Sequence, residues 1–150
     1  MTEQLPVIDH ETVTLMLSEY EAIFLSGRSQ KEADNARIRL IFALVHSKLQ
    51  KHQERGRNLA LAQLARSDAS EQDQRELRYL AAVASFNMRR FVEARRELEM
   101  LMETGEEMRQ AKLLKGLVEE AIVRDGLIGF GAIAAGIAGV VLAAALSRRK

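Results

Sequence analysis

The sequence contains no cysteine and no tryptophan, and its 150 residues include a single proline, Pro6. The absence of cysteine excludes a disulfide framework, a thiolate zinc site and a cysteine nucleophile, as suits a reducing compartment. The only histidines, His10, His46 and His52, form no His-Glu-x-x-His pair. Glycine gathers toward the C-terminal end rather than in a phosphate-cradling loop. Carboxylate pairs such as Glu106-Glu107 and Glu119-Glu120 read as solvated faces, and His46, amid apolar neighbours, reads as a packed or rim histidine. The expectation is therefore no enzyme, no metal and no cofactor. Nor is there an alternating run of β-branched residues to suggest a strand.

What is present begins at the far end. Leu127 to Leu146 runs for about twenty residues without a charge or a proline, enough at ~1.5 Å rise to span a ~30 Å hydrocarbon core. Its strongly apolar members, among them Leu127, Ile128, Phe130, Val140 and Leu146, sum to only about −3 to −5 kcal/mol of insertion energy. A buried core helix would keep a polar stripe, and this stretch has none. A cleaved lipid-anchor signal would need a secretory signal peptide, and Met1 to His10 has neither a basic start nor an apolar run. The expected topology is a tail anchor over 126–147, with Arg148, Arg149 and Lys150 as a basic targeting tail and the body in the cytosol. The chain carries 22 Lys+Arg and 21 Asp+Glu, and removing the tail cations leaves a body of about −2, against the clustered cationic face that nucleic acid requires. Gly131, Ala135 and Gly139 recur every four residues on one face, the pattern of close helix pairing and so of a homo-oligomer. The alternative is that alanine and glycine merely keep the span mildly hydrophobic.

The body, 10–125, reads as one all-α domain after a flexible arm over 1–9 with an apolar patch from Leu5 to Ile8. A first helix is expected to start after Asp9 and run to about Ser26, with Val13, Met16, Leu17, Tyr20, Ile23 and Phe24 on one face, and Gly27 stops it. Ser29 and Glu32 form a capping box opening a second helix to Lys51, lined by Ile38, Ile41, Phe42, Val45 and Leu49. A third, Glu54 to Arg66, carries Leu59, Leu61 and Leu64; a fourth, Glu71 to Met88, follows an N-cap at Ser70. After Arg89-Arg90 come a fifth, Phe91 to Glu103, a turn at Thr104-Gly105, and a sixth from Glu106 to Arg124. Six helices with short connections predict a hairpin array.

Tyr79-Leu80-Ala81-Ala82, Phe86 and Phe91-Val92-Glu93-Ala94 fit the tetratricopeptide pattern, with small residues where paired helices cross. Gly56 and Gly116 fall near the equivalent phase one repeat before Ala94 and one after Ala82, so both are expected at close crossings. The first helix of each hairpin would line the concave side and place Ile38, Ile41, Val45, Tyr79, Val83, Phe86, Leu113 and Leu117 along a partner groove. The alternatives are that Leu5 to Ile8 folds back into it, or that several of these residues are core; an arm competing with a partner would act as a gate. A clamp for an acidic chaperone C-terminus would need Lys and Asn where Ile41 and Val45 stand. A tail-anchored apoptosis regulator would show an Asn-Trp-Gly-Arg-like turn, and there is no tryptophan.

Ala43-Leu44-Val45-His46-Ser47-Lys48, the Phe91-Val92-Glu93-Ala94 hairpin and Arg124-Asp125-Gly126-Leu127-Ile128-Gly129 leading into a Gly/Ala-rich anchor resemble the mitochondrial fission 1 protein family over nearly the whole chain. The resemblance implies a six-helix bundle with two tetratricopeptide-like hairpins, followed by one C-terminal transmembrane helix. It implies an adaptor or receptor in the mitochondrial outer membrane, in many members also the peroxisomal membrane, that recruits a dynamin-related GTPase directly or through a fission adaptor. The alternative is a tail-anchored tether or a chaperone or import co-receptor. Gln53 at a position usually apolar, the small Ala60, and a longer loop at Ser67 to Ser70 depart from the family pattern.

Overall fold

The computed structural model describes residues 4–66, 68–105 and 108–126, and these fold as an all-helical, six-helix, tetratricopeptide-like array. Helix α1, His10–Leu25, starts where Asp9 Oδ1 accepts the Thr12 N–H at 2.7 Å; that bond also holds the Asp9 carboxyl below the usual carboxylate range. It stops at Gly27, whose φ of 64° suits a residue without Cβ. Helix α2, Gln30–Val45, opens with the expected capping box of Ser29 and Glu32. Helix α3 spans Gln50–Leu64, and α4, Glu71–Asn87, begins at Ser70, which accepts the Asp73 N–H. Helices α5, Phe91–Met102, and α6, residues 109–126, complete the array.

The α4–α5 turn holds a conformation that the sequence conceals. Arg89 has φ 61°, and the Arg90 N–H reaches back to the Ser85 carbonyl at 2.8 Å, a helix-ending motif in which glycine is usual. The guanidinium of Arg89 lies over the Phe91 ring and meets Asp125 of α6 at 3.2 Å.

The main core is built from Ile38, Ile41 and Val45 of α2, Ala60 of α3, Leu77 and Leu80 to Ala84 of α4, Phe91, Ala94, Leu98 and Leu101 of α5, and Ala111, Leu114, Val118 and Ala121 of α6. A second cluster, Val13 with Leu40, Ala43 and Leu44, joins α1 to the other side of α2. Helix α2 is thus apolar on two faces because it is covered on two sides.

Several expectations are corrected. Helix α2 ends at Val45, not Lys51, and α3 begins at Gln50, not Glu54. Leu49, spaced as if to extend α2, instead stands at the N-cap of α3 and is 40% exposed. Phe24 is 63% exposed at the end of α1. The buried face of α3 is Gln53, Gly56, Ala60 and Gln63 rather than its leucines, which are only partly buried. The reason is proximity: a Cβ on Gly56 would sit 2.8 Å from Val45 Cγ1 and 2.9 Å from Leu44 Cβ. Small or flat side chains alone fit such a crossing, which accounts for Ala60. The two glutamines are satisfied: Gln53 Nε2 donates to the Ser47 carbonyl at 2.7 Å, and Gln63 accepts from Arg37 and donates to Asp34. Gly116 does not mark a crossing; it is exposed, with nothing within 4 Å of a modest side chain's first atom. No helix among the described residues is long and apolar enough to cross a membrane. The expected span, with Leu127, Gly131, Ala135, Gly139 and Leu146, and the tail Arg148, Arg149 and Lys150 lie outside the described residues.

The two glycines should respond oppositely to alanine. Gly116→Ala gains ordinary helix propensity and is expected to raise stability by about 0.5–1 kcal/mol. Gly56→Ala gains the same propensity but forces α2 and α3 apart, so a net loss of about 1–3 kcal/mol is expected. Thermal unfolding of both variants checks the sign; a more stable Gly56→Ala chain would contradict the close crossing.

Candidate partner cleft

The polypeptide leaves α2 at His46 in order to make a turn with several functions. His46 Nδ1–H donates to the Phe42 carbonyl at 2.8 Å, fixing the ring 4.3 Å from that of Phe42. The Ser47 hydroxyl accepts the Leu49 N–H at 3.2 Å and lies 2.9 Å from His52 Nδ1. With His46 past the end of the helix, its carbonyl accepts the Ile8 N–H at 2.9 Å, and Ile8 and Ser47 form an isolated parallel bridge. The arm is thereby tied at its base to the α2–α3 turn. Ahead of that tie, Leu5 packs on the main core cluster and Ile8 on the second.

Beside the arm, the first helices of the hairpins bound a cleft of about 740 Å³. Its walls are Phe42 and His46 of α2, Gln72, Glu76 and Tyr79 of α4, and Gln110 of α6, with Pro6 of the arm on its edge. A smaller space of about 140 Å³ lies where Leu5 and Pro6 meet Tyr79, Leu113, Leu114 and Leu117. A third, about 300 Å³ and mostly apolar, lies where Ile8 meets Met16, Ile38 and Phe42. Phe42, 39% exposed, and Glu76 border both larger spaces. Partial burial, with Asp73 beside it, raises the Glu76 carboxyl above its usual range.

The expected groove residues divide accordingly. Tyr79, Leu113 and Leu117 meet the arm, and Phe86 is half-buried against the core, its ring tilted against that of Phe91 at 5.7 Å. Ile41, Val45 and Val83 are fully buried within the core, so they support the groove without forming its surface, whereas Ile38, 9% exposed, is largely buried but reaches the wall of the third space. Two apolar faces on α2 left the phase ambiguous; the cleft face lies one position farther round, at Phe42 and His46. On α4 the cleft residues Gln72 and Glu76 are polar and carried no apolar signal. No group of three or more metal-ligating side chains occurs among the described residues.

Burial lowers the pKa of His46 despite its bond to Phe42, and burial, His10, Lys51 and Arg55 lower that of His52. Both favour the neutral ring in the folded state. The unfolded chain therefore takes up protons first as pH falls, and the associated stability is present above about pH 6.5 and is lost as pH falls through the lowered native values. Unfolding temperature should fall between pH 7.5 and 5.0, and less steeply in His46→Asn. An unchanged slope in that variant would contradict the role given to His46.

A family profile described as the Fis1 C-terminal tetratricopeptide repeat matches residues 75–127, the stretch from α4 to the end of α6. Mitochondrial fission 1 protein A of Arabidopsis thaliana is 36% identical over 118 residues, covering 75% of this chain and 69% of that protein. Mitochondrial fission 1 protein B of the same plant is 34% identical over 146 residues, covering 93% and 84%. The crystal structure of Fis1 from Saccharomyces cerevisiae superposes with a TM-score of 0.65 at 16% identity, covering 83% of this chain and 92% of that one. Yeast Fis1 in complex with an Mdv1 fragment containing N-terminal extension and coiled coil domains gives the same TM-score at 15% identity, covering 81% and 90%. The fold agrees with these structures, and the extent and identity of the plant matches show that the chain belongs to the mitochondrial fission 1 protein family.

Proposed function

We propose that this chain is a membrane-anchored adaptor of mitochondrial division that recruits a dynamin-related GTPase or its adaptor through the cleft bounded by α2, α4 and α6. The observation that carries the reading is the cleft itself, with the arm docked along its edge. A related yeast protein of the same fold has been crystallised with a fragment of Mdv1, which supports a protein partner for this one. The incoming segment would meet Phe42, Tyr79, Leu113 and Leu117 as apolar wall and Glu76 as a carboxylate able to receive a cation. The arm acts as a gate: one backbone hydrogen bond and two half-buried side chains hold it by about 2–4 kcal/mol before its ordering entropy is charged, so a partner with a few good anchors can displace it. The reaction is binding, with no catalytic step.

In this reading residues 1–9 are the gate, 10–125 the cytosol-facing domain, 126–147 a tail anchor in the mitochondrial outer membrane, and 148–150 its basic tail. The face of Gly131, Ala135 and Gly139 pairs copies within the membrane. Moderate hydrophobicity makes the anchor sensitive to one charge. Val140→Asp costs about 2.5–3.5 kcal/mol, nearly the whole insertion energy. An N-terminal fluorescent fusion of the intact chain should ring mitochondria, and the Val140→Asp fusion should be cytosolic. Diffuse signal from both would overturn the anchor, and a peroxisomal ring would move the address.

A further inference from the structure

The end of the array at which α6 finishes is also where α1 starts and where the α2–α3 and α4–α5 turns lie. Four contacts fix this. Arg89 Nη2 meets Asp125 Oδ2 of α6 at 3.2 Å, Arg90 Nη2 meets Glu54 Oε1 of α3 at 3.2 Å, Asn87 Nδ2 donates to the Val45 carbonyl at 2.8 Å, and the His10 and His52 rings stack at 5.3 Å. The apolar stretch from Leu127 begins immediately beyond this end.

Charge is distributed unevenly between the two ends. Lys48, Lys51 and Arg55, in the α2–α3 turn and the first turns of α3, are exposed and make no ion pair among the described residues. Arg89 and Arg124 share the single carboxylate of Asp125, at 3.2 and 3.9 Å, which leaves a surplus positive charge beside it. The opposing carboxylates are Glu54, paired with Arg90, Glu93 on the first turn of α5, paired with Arg57, Asp9, bonded to the Thr12 N–H, and Glu11 on the first turn of α1. At the other end the balance reverses. Within four residues of the helix ends there, Glu21, Glu32, Asp34, Asp68, Glu71, Asp73, Glu99 and Glu103 outnumber the cations Arg28, Lys31, Arg66, Arg75, Arg109 and Lys112. Arg89 also keeps its cation in a left-handed turn that a glycine would adopt without strain.

We propose that Lys48, Lys51 and Arg55, with the surplus guanidinium at Asp125, form a cationic collar that seats the helical body on anionic phospholipid headgroups around its own anchor. The inference rests on the anchor reading above and adds an orientation to it. Helices of this length stand ~24 Å tall, while surface potentials decay over ~8 Å at physiological salt, so the collar feels the bilayer and the acidic end does not. Each cation near an anionic leaflet strengthens association about five-fold, and three together give on the order of 100-fold. A body held upright in this way presents its cleft at a fixed height.

The native chain has no cysteine, so Gln50→Cys provides one site for a donor dye in the collar. The full-length chain is placed in nanodiscs of phosphatidylcholine, with or without a third of anionic phospholipid, carrying an acceptor-labelled lipid. We expect higher energy transfer in the anionic discs at low salt. The difference should vanish at ~0.5 M salt and in the Lys48→Glu/Lys51→Glu/Arg55→Glu chain, but persist in Arg28→Glu/Lys31→Glu, which alters the far end. Equal transfer in neutral and anionic discs, or transfer indifferent to the triple reversal, would overturn the collar. Circular dichroism confirms that each variant is folded, and Lys48→Gln/Lys51→Gln/Arg55→Gln, expected to give an intermediate loss, replaces the reversal if that variant unfolds. Alkaline extraction reads the anchor separately. If the chain is extracted, the anchor falls, and the collar then stands or falls on whether the same chain sediments with anionic but not neutral vesicles in a Lys48/Lys51/Arg55-dependent manner.

Discussion

The short connection between Val45 and Gln50 constrains more of this molecule than any helix does. Because α2 stops at Val45, the His46 carbonyl is available to the arm, the Ser47 hydroxyl can hold the turn, and Gln53 can reach back to the Ser47 carbonyl. The same geometry brings α3 so near α2 that Gly56 rests against Leu44 and Val45. Close packing there lets α4 touch both α2 and α3 and close the core over Val83 and Ala84. A longer α2 would remove the docking carbonyl and shift the register of the crossing together.

The polar side chains at the hairpin crossings belong to the same construction. Arg57 of α3 donates to the fully buried Ser85 of α4 at 2.9 Å and pairs with Glu93 of α5 at 3.1 Å, tying three helices with one guanidinium. Arg37, Tyr20, Gln63 and Asp34 form a corresponding network where α1, α2 and α3 meet. Buried donors and acceptors of this kind tolerate few alternative packings, since any slip leaves them unsatisfied.

Helix number, the caps at Ser29 and Ser70, the stops at Gly27 and Gly105 and the small residues Gly56, Ala82 and Ala94 were legible because each is a local chemical signal. The buried face of α3 was not. Its spacing is helical, but its residues are glutamine, glycine and alanine, and an apolar search prefers the neighbouring leucines. Gly116 misled for the converse reason: repeat phase places a glycine there, yet no later helix among the described residues packs against it. The core-versus-groove division of Ile41, Val45 and Val83 depends on which of two apolar faces a neighbour covers, and that is a tertiary fact. Arg89 in a glycine conformation left no trace in the sequence, since a positive φ is imposed by the turn and not advertised by the side chain.

The gate proposed above requires that the arm be docked at the α2–α3 turn. Its most direct measurement is hydrogen exchange at the Ile8 amide of the full-length chain. The arm as described predicts exchange at least ~10-fold slower than in an unstructured peptide, because that N–H is held by the His46 carbonyl. Exchange at the unstructured rate, with α2 and α4 amides still protected, would mean that the arm does not close the cleft and would contradict the gate.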